Sequence, residues 1–516
     1  MMKNSKIAKF ISNGLTLTLS AIIMRTVGVT FSAYITKMVG AEGIGLYTLT
    51  MSVYGFAVTF ATSGVNLAST RLIAESLGRG EKRSARHSLL FCLLYAFIFG
   101  SVTTLALFFG SDFIGRTLLA DVRTIPSLRL LSLSMIPIAL SSALNGYFTA
   151  VRRVSKNAAS QLFEQAIKIL VTAYALRLLL PRGIVYSCMA LVGGGAVAEL
   201  LSFLFLFSEY LFDRYKHRAD FKCESSLENR VNSPALVSSM LAISIPVALS
   251  AYVRSALVTV ENILIPKTLA SAGQSRGEAL SSYGRLHSMA IPIVLYPMAA
   301  LSSFAGLLIP EFAEKNDLKD EKSLSLMAEN ALHYTLVFAF GCAGILATFA
   351  RPLGEMIYNS SEAGVYIGLL APVVPVMYLD HITDAILKGI GKQVYSMIVN
   401  ISDSVLSILL VLLILPRMGA VGYVLVIAIA EIFNFSLSLT GMTNAISVSF
   451  DLVYSLLLPI LNAFISSFFA KAVPLGGSAI SLVLRMILFA FIYIMTTIIC
   501  NKLLPKRERG LGRLHI

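Results

Sequence analysis

Tryptophan is absent from this 516-residue chain, and charge is sparse: 14% of residues are Asp, Glu, Lys or Arg, against 56% hydrophobic. A soluble domain cannot hide that much apolar surface, so the composition excludes one and points to a polytopic membrane protein. Without tryptophan, any aromatic belt at the membrane interface falls to the 20 tyrosines. The five cysteines are odd in number; Cys92, Cys188, Cys342 and Cys500 sit in apolar runs and Cys223 in a basic loop. That pattern excludes a disulfide framework and zinc-ligand spacing. The six histidines are scattered, and His381, beside Asp380, reads as structural. There is no HExxH, no GxSxG and no Walker loop. No connecting segment approaches the roughly 50 residues of a separate domain, which leaves a membrane-embedded glycosyltransferase or ligase without its catalytic loop. The chain is therefore expected not to be an enzyme and to need no metal or organic cofactor.

What is present is a series of about fourteen apolar runs of roughly 20–30 residues, from 10–38 to 478–503. Every backbone polar group must be satisfied inside each run, so these are helices rather than barrel strands. Lys3, Lys6 and Lys9 precede the first run, which is too long for a signal peptide and lacks a small-residue cleavage site. It reads as an uncleaved first helix. The net charge of +14 could suggest nucleic acid. Instead, well over half of the 42 Lys and Arg fall in alternate links if both termini are cytoplasmic, as the positive-inside rule requires. No nucleic-acid partner is expected, and the expected location is the cell membrane.

The runs are also repeated. Arg25-Thr-Val-Gly-Val-Thr30 matches Arg254-Ser-Ala-Leu-Val-Thr259. Tyr47, Pro137, Pro181-Arg182 and Glu199 are echoed in order by Tyr283, Pro375, Pro416-Arg417 and Glu431. The offsets stay within about 230–240 residues, the mark of a duplicated unit. Six spans per unit is an even number, so both copies share one orientation, and transporters built this way place substrate between their halves. The expected fold is all-α, with two six-helix lobes in parallel repeat and two further helices. The lobes are residues 1–210 and 236–445, joined by a cytoplasmic linker at 211–235, and 446–516 holds the last two helices and a basic tail.

The charges inside the spans carry the chemistry. Arg25 lies near the middle of the first run, on a helical stripe of small or polar residues: Gly14, Thr18, Ala21, Gly28, Ser32 and Thr36. A cation at that depth costs roughly 3 kcal/mol on insertion scales, so it should face protein or water. Arg254, Lys168 and Arg285 complete a cationic set. Arg254 shares a face with Ser250 and Glu261; Glu164 and Lys168 are one turn apart and have two readings, a self-neutralised pair or cavity residues. Asp380 and Asp384 share a face, and Asn400, Asp403 and Ser407 line another. Glu199 and Glu431 occupy matching places, which suggests a shared structural task. Arginine's planar fork pairs with pyrophosphate or carboxylate and stays charged in a dry site, so arginines from both lobes argue for an anionic substrate. A cation exporter should be led by carboxylates instead.

Arg25, the turn Gly40-Ala-Glu-Gly-Ile-Gly-Leu-Tyr47, the segment Glu261-Asn-Ile-Leu-Ile-Pro266 and the two extra C-terminal helices together resemble the multidrug/oligosaccharidyl-lipid/polysaccharide (MOP) flippase superfamily, in its polysaccharide biosynthesis branch. The resemblance implies a cationic central cavity, rocking between inward and outward states, and a lipid-tail role for the last two helices. On this basis the chain is expected to be a flippase for an anionic polyprenyl-diphosphate sugar, a lipid-linked oligosaccharide or peptidoglycan precursor, serving cell-wall or spore-cortex synthesis. Arg25, Arg254, Lys168 and Arg285 are the expected substrate contacts; Glu164, Glu261, Asp380, Asp384 and Asp403 are candidates for coupling or charge pairing. The expected drive is the membrane potential or a monovalent cation. Expected partners are the lipid-linked sugar, membrane lipids and cell-wall synthesis proteins. The alternatives are a cation-coupled multidrug exporter of the same fold and a non-transporting membrane scaffold of a cell-wall complex.

Overall fold

The computed structural model describes residues 2–79, 81–216, 233–473, 478–503 and 513–515, with side chains from residue 24 onwards for most of them. Most of the expected linker (including Cys223), most of the basic tail and the side chains of Thr18 and Ala21 on the Arg25 stripe lie outside the described residues.

The first helical run, Met2–Thr62, is far longer than one crossing and turns at a single residue, Gly40 (φ 78°, ψ 174°). That backbone region is open essentially to glycine alone, so one residue ends α1 (2–39) and starts α2 without a loop. The second helix, α2 (41–78), breaks again where Ser63 (φ 43°) and Gly64 (φ 70°) both take positive φ. Buried Ser63 is held there by hydrogen bonds with the phenols of Tyr252 (2.5 Å) and Tyr95 (2.9 Å). A Cβ on Gly64 would stand 3.0 Å from the Ser244 carbonyl oxygen.

The chain continues as α3 (Lys82–Phe113, extended by a π-helical turn Ile114–Leu118), α4 (Ile125–Ser132 and Met135–Ala150), α5 (Val154–Leu179) and α6 (Ile184–Lys216). After the linker come α7 (Ser233–Ser271), α8 (276–317), α9 (Glu321–Tyr358) and α10 (361–389). Helix α8 bends by 57° between Val294 and Met298, where Pro297 cannot donate to the ladder. A positive-φ glycine, Gly419 (φ 61°), splits the 51-residue run Gln393–Thr443 into α11 (393–418) and α12 (420–443). The last two are α13 (453–472) and α14 (Ala479–Leu503). A three-residue antiparallel pair, Ser449–Asp451 with Arg513–His515, is the only strand pairing among the described residues.

Nine helices among the described residues are individually long and apolar enough to cross a membrane, and two bent pairs bring this to eleven. Two of the nine, Met24–Gly78 and Gln393–Thr443, each hold two crossings separated at Gly40 and Gly419. Their halves make thirteen, and the 26-residue α5, which carries more polar side chains, completes the fourteen read from the sequence. The protein is a multi-pass helical membrane protein. Phe109, Phe464, Phe468 and Ile480 are each more than 70% exposed, as side chains that meet lipid should be.

The helices form two compact units: Met1–Ala41 with Thr268–Ile516, and Glu42–Lys267. The grouping differs from the lobes 1–210 and 236–445 in the leading helix of each repeat. Helix α1 is tied to α8 and α9 by Thr26 with Tyr296 (2.7 Å) and by Lys37 Nζ donating to the Met356 carbonyl (3.2 Å). Helix α7 is tied to α2 by Thr259 donating to the Ser52 carbonyl (3.1 Å), by Thr59 donating to Ser255 (3.2 Å) and by the Tyr252–Ser63 bond. The turn at Gly40 lets α1 leave the unit its own successor joins. In that unit the core is Ile73, Ala85, Leu89, Leu144, Phe148 and Leu206, from α2, α3, α4 and α6.

Gly64→Ala is expected to destabilise the protein by about 1–2 kcal/mol from the left-handed backbone alone, and further through the Ser244 approach. Thermal unfolding in detergent, set against Gly55→Ala, whose Cβ meets open space, measures it.

Candidate functional site

Helix α1 brings Arg25 half-buried into the first unit. Its surroundings are phenols rather than carboxylates. Tyr296 of α8 shares a hydrogen bond with the neighbouring Thr26, and the charge of Arg25 reaches Tyr358 of α9 and Tyr378 of α10. Tyr378 is wholly buried and donates to the Val294 carbonyl at 2.9 Å. Among the described residues no acid forms an ion pair with Arg25, and its Nε is buried without a hydrogen-bond partner. A buried donor left unsatisfied costs about 1–3 kcal/mol, more when charged. Phenols supply partial compensation only, so this position would gain from an anion.

Arg285 begins the π-helical turn Arg285–Ala290 of α8 and forms an ion pair with Glu362 in the first turn of α10. The pair edges a cavity of about 720 Å³ whose other walls include Thr36, Lys37, Glu355 and Tyr358. Arg25 and Arg285 thus belong to one unit, and Arg254 and Lys168 to the other. Arg254 is exposed on α7 and makes no ion pair among the described residues. Glu261, two turns along α7, is half-buried and has interactions of its own.

The carboxylates fall into clusters. In the second unit Glu199 of α6 accepts from the Tyr54 hydroxyl of α2 (3.2 Å). Glu164 of α5 lies beside Ser202 and within electrostatic reach of Glu199. Lys168 acts on both acids from a distance, and no Glu164–Lys168 ion pair forms within 4.0 Å. In the first unit Asp380 of α10 accepts from Asn434 Nδ2 of α12 (3.2 Å), and Asp403 of α11 and Asp380 both act on Glu431 of α12. Asp384 has a different setting: Lys388 donates to it at 2.5 Å and the Ser396 hydroxyl donates to it as well. His381 bonds Ser302 at 3.1 Å. Matched Glu199 and Glu431 therefore each sit in an acidic group within their own unit. Tyr54, Tyr296, Tyr358 and Tyr378 had no sequence signal as site residues beyond the high count of tyrosine.

Other charge pairs are architectural. Arg123 grips Asp121 through two nitrogens (3.0 and 2.9 Å) and reaches Glu42 at 2.7 Å. Lys156 pairs with Glu209 at 2.8 Å, and Arg153 with Asp213. These pairs tie helix ends together, whereas Arg25 lies within a span and has no acid partner among the described residues.

The sequence profile of the family described as polysaccharide biosynthesis protein matches residues 10–316, more than half of the chain, and the chain belongs to that family. It is 25% identical to the stage V sporulation protein B of Bacillus subtilis over 518 aligned positions, covering 98% of this chain and 99% of that one. It is 22% identical to the lipid II flippase MurJ of the same organism, over 82% of this chain and 81% of that protein. Among solved structures, the inward closed conformation of lipid II flippase MurJ superposes with a TM-score of 0.69 at 14% identity, over 94% of this chain and 99% of that one. An inward-facing multidrug resistance MATE transporter of the MOP superfamily gives 0.61 at 15% identity, over 83% of this chain and 96% of that one. The fold is that of the MOP superfamily.

Asp384→Asn should cost about 1–3 kcal/mol in thermal unfolding, because a partly buried carboxylate with two donors is lost. Glu75→Gln, which breaks the exposed Arg71–Glu75 pair at 2.8 Å, should change stability by less than about 1 kcal/mol.

Proposed function

We propose that this protein is a flippase for an anionic lipid-linked oligosaccharide or peptidoglycan precursor, a polyprenyl-diphosphate sugar, which it carries across the cytoplasmic membrane by alternating access for cell-wall or spore-cortex synthesis. The observation that carries this reading is Arg25: a half-buried guanidinium with no acid partner among the described residues. A diphosphate offers paired oxygens in the geometry of the guanidinium fork and supplies the missing countercharge. Arg285 of the same unit, which now holds Glu362, is a further proposed contact, and Lys168 and Arg254 are proposed contacts argued within their own unit. The full-length similarity to a sporulation protein and the similarity to a lipid II flippase support the substrate class and the cell-wall setting. Cell-wall synthesis proteins are its expected partners. Both termini are assigned to the cytoplasm on the distribution of Lys and Arg.

The acidic group Asp380, Asp403 and Glu431 is the proposed coupling element, answering to the membrane potential, a proton or a monovalent cation; Asp384, paired with Lys388, is held as a charge-pairing residue, and Glu164 and Glu261 stay as candidates for either role. The multidrug-exporter alternative would place its cargo against such acids and leave Arg25 without a task.

The test is leaflet translocation of a defined polyprenyl-diphosphate sugar in proteoliposomes. Wild type should equilibrate the lipid across the bilayer. Arg25→Lys keeps charge but loses the fork and should retain partial activity, whereas Arg25→Ala should lose at least tenfold, corresponding to one charge-assisted hydrogen bond or more. Undiminished translocation by Arg25→Ala, or export of an organic cation in place of the lipid, contradicts the proposal.

A further inference from the structure

The break in α8 is tied off by a side chain from another helix. Leu295, Tyr296 and Pro297 separate its two halves, which meet at 57°. In an unbroken helix the Val294 carbonyl would accept from the Met298 N–H. Here it accepts from the Tyr378 hydroxyl of α10 at 2.9 Å, and the Met298 backbone amide bonds the same phenol oxygen. One hydroxyl, donating on one side and accepting on the other, takes the place of the missing rung. Tyr378 is wholly buried and stacks on Phe338 of α9 with ring centroids 6.2 Å apart, which fixes the bridge in place. The two halves of α8 are therefore held at a set angle.

That angle decides where Tyr296 points. Its hydroxyl lies 2.7 Å from the Thr26 hydroxyl on α1, one residue beyond Arg25, and all three residues belong to the same compact unit. Thr26 is exposed and Tyr296 half-buried, so this hydroxyl pair is accessible to an incoming group. The Tyr378 hydroxyl is not, being buried and committed to the break. A diphosphate has two phosphoryl groups, and the guanidinium fork of Arg25 pairs with two oxygens. The remaining charged oxygens need other donors in a site of low dielectric. A phenol bonded to a neutral threonine gains by turning to an ionised phosphate oxygen, because hydrogen bonds to charged acceptors are about twice as strong.

We propose that the Tyr296 hydroxyl is a second donor to the diphosphate taken by Arg25, and that Tyr378, by bridging the break in α8, is the residue that positions it. The identity of the anion as part of a carried lipid rests on the transport reading above. Thr26 holds the phenol in the empty site and releases it to the anion.

The experiment titrates inorganic pyrophosphate into the full-length chain in detergent and follows lipid translocation in proteoliposomes. Tyr296→Phe removes the donor and keeps the ring, and should weaken pyrophosphate binding on the order of tenfold, as for one lost hydrogen bond to a charged group. Thr26→Val removes the partner hydroxyl but leaves the phenol, and should bind pyrophosphate at least as tightly as wild type. If the Thr26–Tyr296 bond only holds α1 against α8, the two variants lose affinity alike, and that result overturns the proposal. So does Tyr296→Phe that binds as wild type does, or wild type that binds no pyrophosphate. Tyr378→Phe unties the break and should weaken pyrophosphate binding too, but adding Tyr296→Phe to it should reduce affinity by less than it does in wild type. Losses that simply add, or Tyr378→Phe with a lower melting temperature and wild-type affinity, overturn its positioning role. Wild type that translocates the lipid, with Tyr296→Phe binding and translocating equally well, defeats the role of Tyr296 alone. Wild type and variants that show the expected binding pattern while no polyprenyl-diphosphate sugar is translocated defeat the transport reading and the lipid assignment with it.

Discussion

A positive charge in a membrane helix must be answered by something, and among the described residues the answer to Arg25 is not a carboxylate. Phenols and hydroxyls surround it: Tyr296 through Thr26, with Tyr358 and Tyr378 within reach. Neutral oxygens soften the cost of the guanidinium without cancelling its charge. The chain has the means to cancel it, since Arg123, Arg153, Arg285 and Lys388 are all paired with acids. An uncompensated arginine is therefore a cost carried in the resting protein, of the kind that a binding site for an anion retains. The turn at Gly40 and the grouping of α1 with α8, α9 and α10 follow the same logic, because they deliver Arg25 and Thr36 to one set of walls.

The acids are arranged in the opposite way. Glu199 and Glu431 hold matching places in the repeat, and each lies near other carboxylates of its own unit: Glu164 in one, Asp380 and Asp403 in the other. Carboxylates gathered in a low dielectric are costly to keep as a group, which is why the acids around Glu431 are the ones proposed for coupling. Each unit thus holds an acidic group, while the cations are distributed differently. The first unit gathered Arg25 and Arg285; the second holds Lys168 near its acids and leaves Arg254 exposed on α7.

The fourteen crossings could be read from the sequence because the length of an apolar run is a local property. The breaks at Gly40 and Gly419 lay in short glycine-bearing turns, and the repeat showed itself in paired motifs. The membership of α1 and α7 in their compact units was not readable from the repeat. It is decided by contacts such as Thr26 with Tyr296 and Thr259 with Ser52, made by residues far apart in the chain. Arg25 was visible as a charge in an apolar run, but its phenolic neighbours were not, since isolated tyrosines in apolar helices have no signature. Glu164 and Lys168 show the limit of spacing arguments: one turn apart on α5, they form no ion pair within 4.0 Å, and Lys168 acts on Glu164 and Glu199 alike.

The central claim is that the charge of Arg25 is left for a diphosphate. Thermal unfolding of the purified full-length chain and of Arg25→Gln, with and without inorganic pyrophosphate, tests it most directly. The account predicts that Arg25→Gln is at least as stable as wild type without ligand, because a costly charge is gone, and that pyrophosphate raises the melting temperature of wild type alone. A ligand-free Arg25→Gln that unfolds well below wild type, with the two proteins stabilised equally by pyrophosphate, would show that the arginine is compensated from within and would contradict the account.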